Sequence, residues 1–194
     1  MRALALNGSP RRNGNTEMLL RMVLAELQAA GVTTELVQLG GLHLRGCQAC
    51  GGCKRNLDAR CTLADDGLNG LLEKMLAADV ILIGSPTYFA DVTTEVKALI
   101  DRAGYVARAN GNLLARKLGA AVVAVRRAGA IHAFDTINHF FLVSEMVVVG
   151  SSYWNLGIGR ERGEVAGDAE GVATMQALGR NLAWALERLG AGSC

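Results

Sequence analysis

The stretch RALALNGSPRRNGNTEMLLRMVLAELQAAG, residues 2–31, contains a strand, a turn and a helix in immediate succession. Residues 2–7 are a short apolar run that stops at Asn7-Gly8. The turn that follows is rich in Gly, Pro, Asn and Arg, residue types that break regular structure. From Asn15 to Ala30 apolar residues recur at helical spacing, and Gly31 fits the stop. A strand that passes through a Gly-rich turn into a helix is the first half of a βα unit. Outward from it the alternation repeats. TTELVQL (33–39) reads as a second strand and 65–78 as a helix capped by Asp65 or Asp66. DVILIGSP (79–86) is a buried third strand, 92–105 a helix, KLGAAVVAVRR (117–127) a fourth strand and 130–145 a helix. EMVVVGSS (145–152) is a fifth strand and 169–189 the last helix, on which Trp184 is expected to join the core. Strands that alternate with helices predict an α/β fold with a parallel sheet covered on both faces. No repeat, linker or low-complexity segment interrupts the pattern, so residues 1–194 are expected to form one domain. Two irregular segments stand out, a cysteine-rich loop at 45–63 and residues 153–168. Irregular segments of that length in a compact domain are commonly functional.

Composition narrows the classes of function. A chain of 194 residues, 51% hydrophobic and 20% charged, buries a full core without staples. A net charge of +2 gives no basis for nucleic-acid or anionic-membrane binding. The longest apolar runs, such as VILIG and AAVVAV, fall far short of a membrane span. At the N-terminus no charged n-region precedes an apolar h-region, so no signal peptide is expected and the expected location is cytoplasmic, where thiols stay reduced. That favours metal binding or redox chemistry for the cysteines over structural disulfides.

In open parallel sheets ligands sit beyond the carboxyl ends of the strands, at the switch point of strand order. Three turns occupy such positions. NGSPRRNGNT (7–16) leads into a helix N-terminus, where free N–H groups and the helix dipole attract an anion. Ser9, Asn15 and Thr16 add neutral donors, and Arg11 or Arg12 adds charge. No Lys follows Gly14, so this is not a Walker A loop, and the glycines do not form G-x-G-x-x-G. Glu35 stands inside an alternating strand, where it faces solvent rather than a ribose. A hydroxyl and backbone cradle without Lys or a magnesium ligand suits one terminal monophosphate, as in FMN. GSPTYF (84–89) brings Ser85, Pro86, Thr87, Tyr88 and Phe89 to a strand end, where they could frame a planar ring. RRAGA (126–130) adds Arg126, a cation that could stabilise a reduced anionic flavin, and Gly129.

Taken together, NGSPRRNGNT, the cysteine loop followed by ADDG, ADVILIGSPTYFADVTTEVKALIDR and GSSYWNLGIG resemble the NADPH-dependent FMN reductase superfamily, and within it the iron–sulfur flavoproteins. The resemblance covers most of the chain and keeps motif order. It implies a flavodoxin-like fold with a five-stranded sheet of order 2-1-3-4-5, FMN at the strand ends, and a homodimer or homotetramer with the flavin near a subunit interface. The phosphate loop of that family carries over onto Ser9, Arg11, Asn15 and Thr16, and its ring-binding segment onto Pro86, Thr87, Tyr88 and Phe89. Relatives often have paired glycines after strand four, whereas here Ala128 and Ala130 flank Gly129.

Four of the five cysteines, Cys47, Cys50, Cys53 and Cys61, fall in one C-x2-C-x2-C-x7-C motif. A [4Fe–4S] cube needs four converging thiolates, and two short spacers with one longer arm can supply them. The motif is similar to the compact one of the iron–sulfur flavoproteins. Zinc sites usually pair two separated C-x2-C knuckles, and only one cluster of thiols exists here. Cluster, zinc and free or disulfide-linked thiols all remain readings of the residues alone. Cys194 is terminal and outside the motif, and His43, His132 and His139 make no ligand pattern with the thiols. Asp101 and Arg102 read as a helix-end ion pair.

The expectation is therefore a flavin-dependent oxidoreductase. It would pass electrons between NAD(P)H or a ferredoxin-like protein, FMN and a [4Fe–4S] cluster. An NAD(P)H:FMN or quinone reductase without a cluster, and a non-enzymatic redox- or metal-sensing module, are the alternatives.

Overall fold

The computed structural model describes residues 1–190, and Cys194 lies outside them. Strands β1 (Arg2–Asn7), β2 (Thr33–Gln38), β3 (Val80–Pro86), β4 (Leu118–Val125) and β5 (Val147–Val148) form a parallel sheet of order 2-1-3-4-5. Helices α1 (Asn15–Ala29), α2 (Gly52–Asn56), α3 (Leu68–Ala77), α4 (Thr94–Ala109), α5 (Ala130–Val143) and α6 (Ala169–Gly190) connect and cover it. Chain order reverses between β1 and β3, which makes the carboxyl ends of these strands the switch point.

Alternation along β1 divides the core. Ala3 and Ala5 pack with Leu19, Leu20 and Val23 of α1 and Leu178 and Leu182 of α6. Leu4 and Leu6 belong to the opposite face, with Leu72 of α3, Leu99 of α4 and Phe141 of α5. Small residues on one face of β1 and leucines on the other follow from period-two side-chain geometry.

Several elements differ from expectation. The fifth strand, expected over 145–152, is only Val147–Val148. The chain then leaves the edge and returns as a sixth strand, β6 (Leu156–Ile158), on the far part of β4. Asn155 fills the gap: its side chain donates to the Ala121 carbonyl at 3.0 Å and its own carbonyl accepts from Val123 N–H at 3.0 Å. A buried side-chain amide thus stands where ladder bonds would run, which satisfies backbone groups that would otherwise be orphaned. Gly67 (φ 90°) takes the N-cap position of helix α3 instead of an aspartate; Asp66, one residue earlier, accepts from Leu68 N–H at 3.4 Å and pairs with Arg102.

Trp184 is 61% exposed instead of buried. Leu178, Leu182, Ala185 and Leu186 occupy the stripe of α6 that meets the core, and Trp184 falls about 200° around the helix from Leu182. Asp101 pairs with Lys97 one turn back at 2.6 Å, and Arg102 turns inward to Asp66, so the two neighbours do not pair with each other. Glu35 faces outward and pairs with Lys74 at 2.6 Å. No described helix is long and apolar enough to cross a membrane.

Candidate functional site

The three turns expected to bind ligand stand at the carboxyl ends of the adjacent strands β1, β3 and β4, and they touch. Gly8 N–H donates to the Gly84 carbonyl at 2.8 Å, and the Thr93 hydroxyl donates to the Gly8 carbonyl at 3.0 Å. A Cβ on Gly129 would lie 3.2 Å from Ala90 Cβ and 3.6 Å from Thr87 Cγ2, so the turns after β3 and β4 are in contact.

Residues that the turn sequence alone did not single out build the first of these turns. Asn7, at the end of β1, accepts from Ser9 N–H at 3.1 Å and donates to Gln38 of β2 at 2.7 Å. The Gln38 amide donates in turn to the Ser9 carbonyl. Gly40 leaves no room for a side chain, since a Cβ there would sit 2.1 Å from Ser9 O. Polar residues closing otherwise apolar strands were the available signal. Ser9 and Thr16 are buried. The Ser9 hydroxyl oxygen accepts from Arg11 N–H at 3.2 Å, which leaves its own proton free to donate. Among the described residues nothing is hydrogen-bonded to the Thr16 hydroxyl or to the Asn15, Thr16 and Glu17 N–H groups. That is the set of donors a helix N-terminus offers an anion.

Two expected donors are arranged differently from one another. The Asn15 side chain is spent on the segment after β6, donating to Gly159 O at 3.1 Å and Glu161 O at 2.9 Å and accepting from Gly163 N–H at 2.8 Å. It anchors that segment to the start of α1. Arg11 is exposed. Glu17 accepts from Asn13 N–H and the Arg21 guanidinium. Burial disfavours its charge, yet these bonds hold the carboxyl below its ordinary range.

After β3, Ser85 is buried and its hydroxyl accepts from Thr93 N–H at 3.1 Å. Thr87 donates to Ala124 O from both its N–H and its hydroxyl. Tyr88 and Asp91 exchange two backbone hydrogen bonds around Phe89 and Ala90, both with positive φ (48° and 64°). A two-residue turn of this kind ordinarily takes Gly or Asn. Here it projects Phe89 fully into solvent beside a half-exposed Tyr88. The Asp91 carboxylate ties the turn to α5 through the Thr136 hydroxyl at 2.9 Å and His132 at 3.4 Å. Arg126 and Gly129 (φ 85°) are exposed at the end of β4.

The cysteine loop lies elsewhere. Cys47, Cys50, Cys53 and Cys61 all line one cavity of about 170 Å³, closed by Thr62 and by Arg102, Tyr105 and Val106 of α4. All four thiols are free. Among the described residues no three His, Cys, Asp or Glu side chains converge closely enough to hold a single metal ion. Gly51 (φ 69°) turns the chain into α2, and Gly52 N–H and then the Thr62 hydroxyl hold the Cys50 thiol below its ordinary pKa. Asn69 clamps the Cys61 backbone by donating to its carbonyl at 3.0 Å and accepting its N–H at 2.8 Å. From Thr94, where α4 starts beside the ligand turns, to Arg102 the helix rises about 12 Å. The thiols therefore flank the middle and far half of α4, away from the strand ends.

The sequence profile of the NADPH-dependent FMN reductases matches residues 1–161. The chain belongs to this family. It is 35% identical over 190 residues to an iron-sulfur flavoprotein of Methanocaldococcus jannaschii, covering 94% of this chain and 96% of that one. An iron-sulfur flavoprotein of Methanosarcina thermophila is 31% identical over 154 residues, 78% of each chain. The fold matches the WrbA-like flavodoxin of Agrobacterium tumefaciens with a TM-score of 0.67 at 13% identity, over 96% of this chain and 98% of that one. The architecture is thus flavodoxin-like, and the protein is an FMN-dependent flavoprotein oxidoreductase.

Proposed function

We propose that this oxidoreductase couples FMN at the strand ends to a [4Fe–4S] cluster held by Cys47, Cys50, Cys53 and Cys61. The observation that carries the reading is the single cavity lined by all four thiols, built separately from the phosphate turn. The donor set fits such a cluster. In a cube each thiolate binds a different iron, so the sulfurs stand further apart than around one ion. Four thiols lining one cavity supply the ligand number and type that such a cluster needs. Bound FMN would accept a hydride or two single electrons, and a cluster would exchange one electron at a time. Ser9, Thr16 and the first N–H groups of α1 would take the phosphate, with Arg11 adding charge. Pro86, Thr87, Tyr88, Phe89 and Gly129 would frame the ring, with Arg126 near it. NAD(P)H or a ferredoxin-like protein would serve as the external redox partner. The test is anaerobic purification or reconstitution with iron and sulfide. We expect about one FMN and four iron per chain, with a paramagnetic signal on reduction. The alternative is a flavin reductase with unmetallated thiols, and FMN without iron uptake under those conditions would establish it.

The same surface argues for assembly. Phe89, Tyr88, Tyr153, Trp154 and Ile158 are exposed around the ligand turns. Holding Phe89 and Ala90 at positive φ costs on the order of 1–3 kcal/mol each. Large apolar side chains exposed in this number suit an interaction site. We propose a homo-oligomer, at least a dimer, with these aromatics at its interface. Light scattering at micromolar concentration should give a multiple of the 20.4 kDa chain mass. A monomeric mass would count against the assembly.

A further inference from the structure

Among the described residues Arg102 has the largest fully buried side chain, at 2% exposure, and it lines the cysteine cavity. Its Nη1 donates to Asp66 Oδ2 at 2.5 Å and to the Arg45 carbonyl at 3.0 Å. Its Nη2 donates to Cys61 Sγ at 3.4 Å. The Nε is buried with no partner among the described residues. Burial opposes the charge of both partners of the pair. The bond between them offsets that cost, and Asp66 also accepts from Arg45 N–H at 2.9 Å. The guanidinium is thus a permanent cation, taken out of water and fixed against one sulfur. Burying a cation this deeply is costly, and a core of the same volume could be apolar at no loss of stability. One carboxylate balances its charge, but the Nη2 bond is directed at the thiol and not at that carboxylate.

We propose that Arg102 is a positioning residue for the iron–sulfur site, orienting Cys61 as a ligand and raising the reduction potential of the cluster that the four thiols hold. The inference rests on the cluster reading above. Hydrogen bonds to ligating sulfurs and nearby positive charge stabilise the reduced, more negative state, and both are established levers on cluster potential. Of the charged side chains described near the thiols, Arg102 alone is both buried and bonded to a candidate ligand sulfur. Lys54, by contrast, lies over the Tyr105 ring at 5.7 Å, at the outer edge of the cavity. Asn69 holds the Cys61 backbone, so Arg102 acts on the sulfur while a separate residue positions the chain.

The experiment is a redox titration of reconstituted protein, followed by paramagnetic resonance of the cluster, for wild type, Arg102→Lys, Asp66→Asn and Asp66→Asn/Arg102→Gln. Asp66→Asn leaves the guanidinium uncompensated and should move the cluster potential to more positive values. The double variant removes charge and donor together without stranding a buried carboxylate, and should move it to values more negative than wild type. Arg102→Lys keeps the charge but shortens the reach to the sulfur, and should fall between wild type and the double variant. The flavin potential, measured in the same titration, should stay at its wild-type value in all three. Variants that assemble a full cluster at the wild-type potential would overturn the proposal and leave Arg102 with a purely structural role. Should Arg102→Lys or the double variant fail to fold, Asp66→Asn still decides, because Arg102 remains in place there. A wild-type protein that takes up no iron would instead remove the cluster reading itself, which separates the two failures.

Discussion

A Ser9→Ala/Thr16→Ala double variant is expected to lose FMN affinity by a factor of about 10² to 10⁴. The two hydroxyls are buried at the mouth of α1. The Ser9 proton is free because its oxygen accepts from Arg11 N–H, and nothing in the described chain is bonded to the Thr16 hydroxyl. Each hydrogen bond to a charged phosphate contributes about 1.5–3 kcal/mol, so removing both costs about 3–6 kcal/mol of binding. Every 1.4 kcal/mol or so is tenfold in the dissociation constant. The backbone N–H groups of the helix start remain, which is why binding should weaken and not vanish. Fluorescence titration of the apoprotein with FMN reads the constant, and the thermal midpoint of the apoprotein checks that the turn still folds. A dissociation constant equal to wild type would take the phosphate away from this turn.

Replacing Cys50 by Ser should abolish iron and acid-labile sulfide uptake while FMN binds at wild-type stoichiometry. Cys50 sits between Ala49 and Gly51, both with positive φ. Gly52 N–H and the Thr62 hydroxyl favour its thiolate, and the thiolate is the ligating form. Serine keeps the shape but not the soft sulfur that iron–sulfur clusters take. The cavity lies against the far half of α4, and the phosphate turn is built from Asn7, Gln38 and the start of α1, so damage to one should not reach the other. Iron, sulfide and flavin analysis of one anaerobic preparation reads all three quantities. Full iron content in the variant would remove Cys50 from the ligand set. Parallel loss of FMN would show that the two sites are not independent.

What the sequence determined by itself is the part encoded in neighbours along the chain. Apolar runs of strand length, helical periodicity from Asn15, and Gly-rich turns at strand ends specify a βα alternation, and with it a parallel sheet and a ligand edge. The cysteine spacing is likewise local, and it alone marks 47–61 as a site. Tertiary structure decided everything that joins distant positions. Arg102 meets Asp66 and Cys61 across 36 and 41 residues, and from its own helix it reads only as a charge beside Asp101. Gln38 supports Ser9 because β2 lies next to β1, and nothing in TTELVQL announces it. Asn155 splits the edge of the sheet by standing in for ladder bonds, so a run of three valines yields only two paired residues there. Trp184 is apolar by composition yet exposed, because Leu178 and Leu182 already fill the face that α6 gives to the core. Periodicity states which residues share a face. Only the packing of one element on another states which face is used, and which buried charge finds a partner.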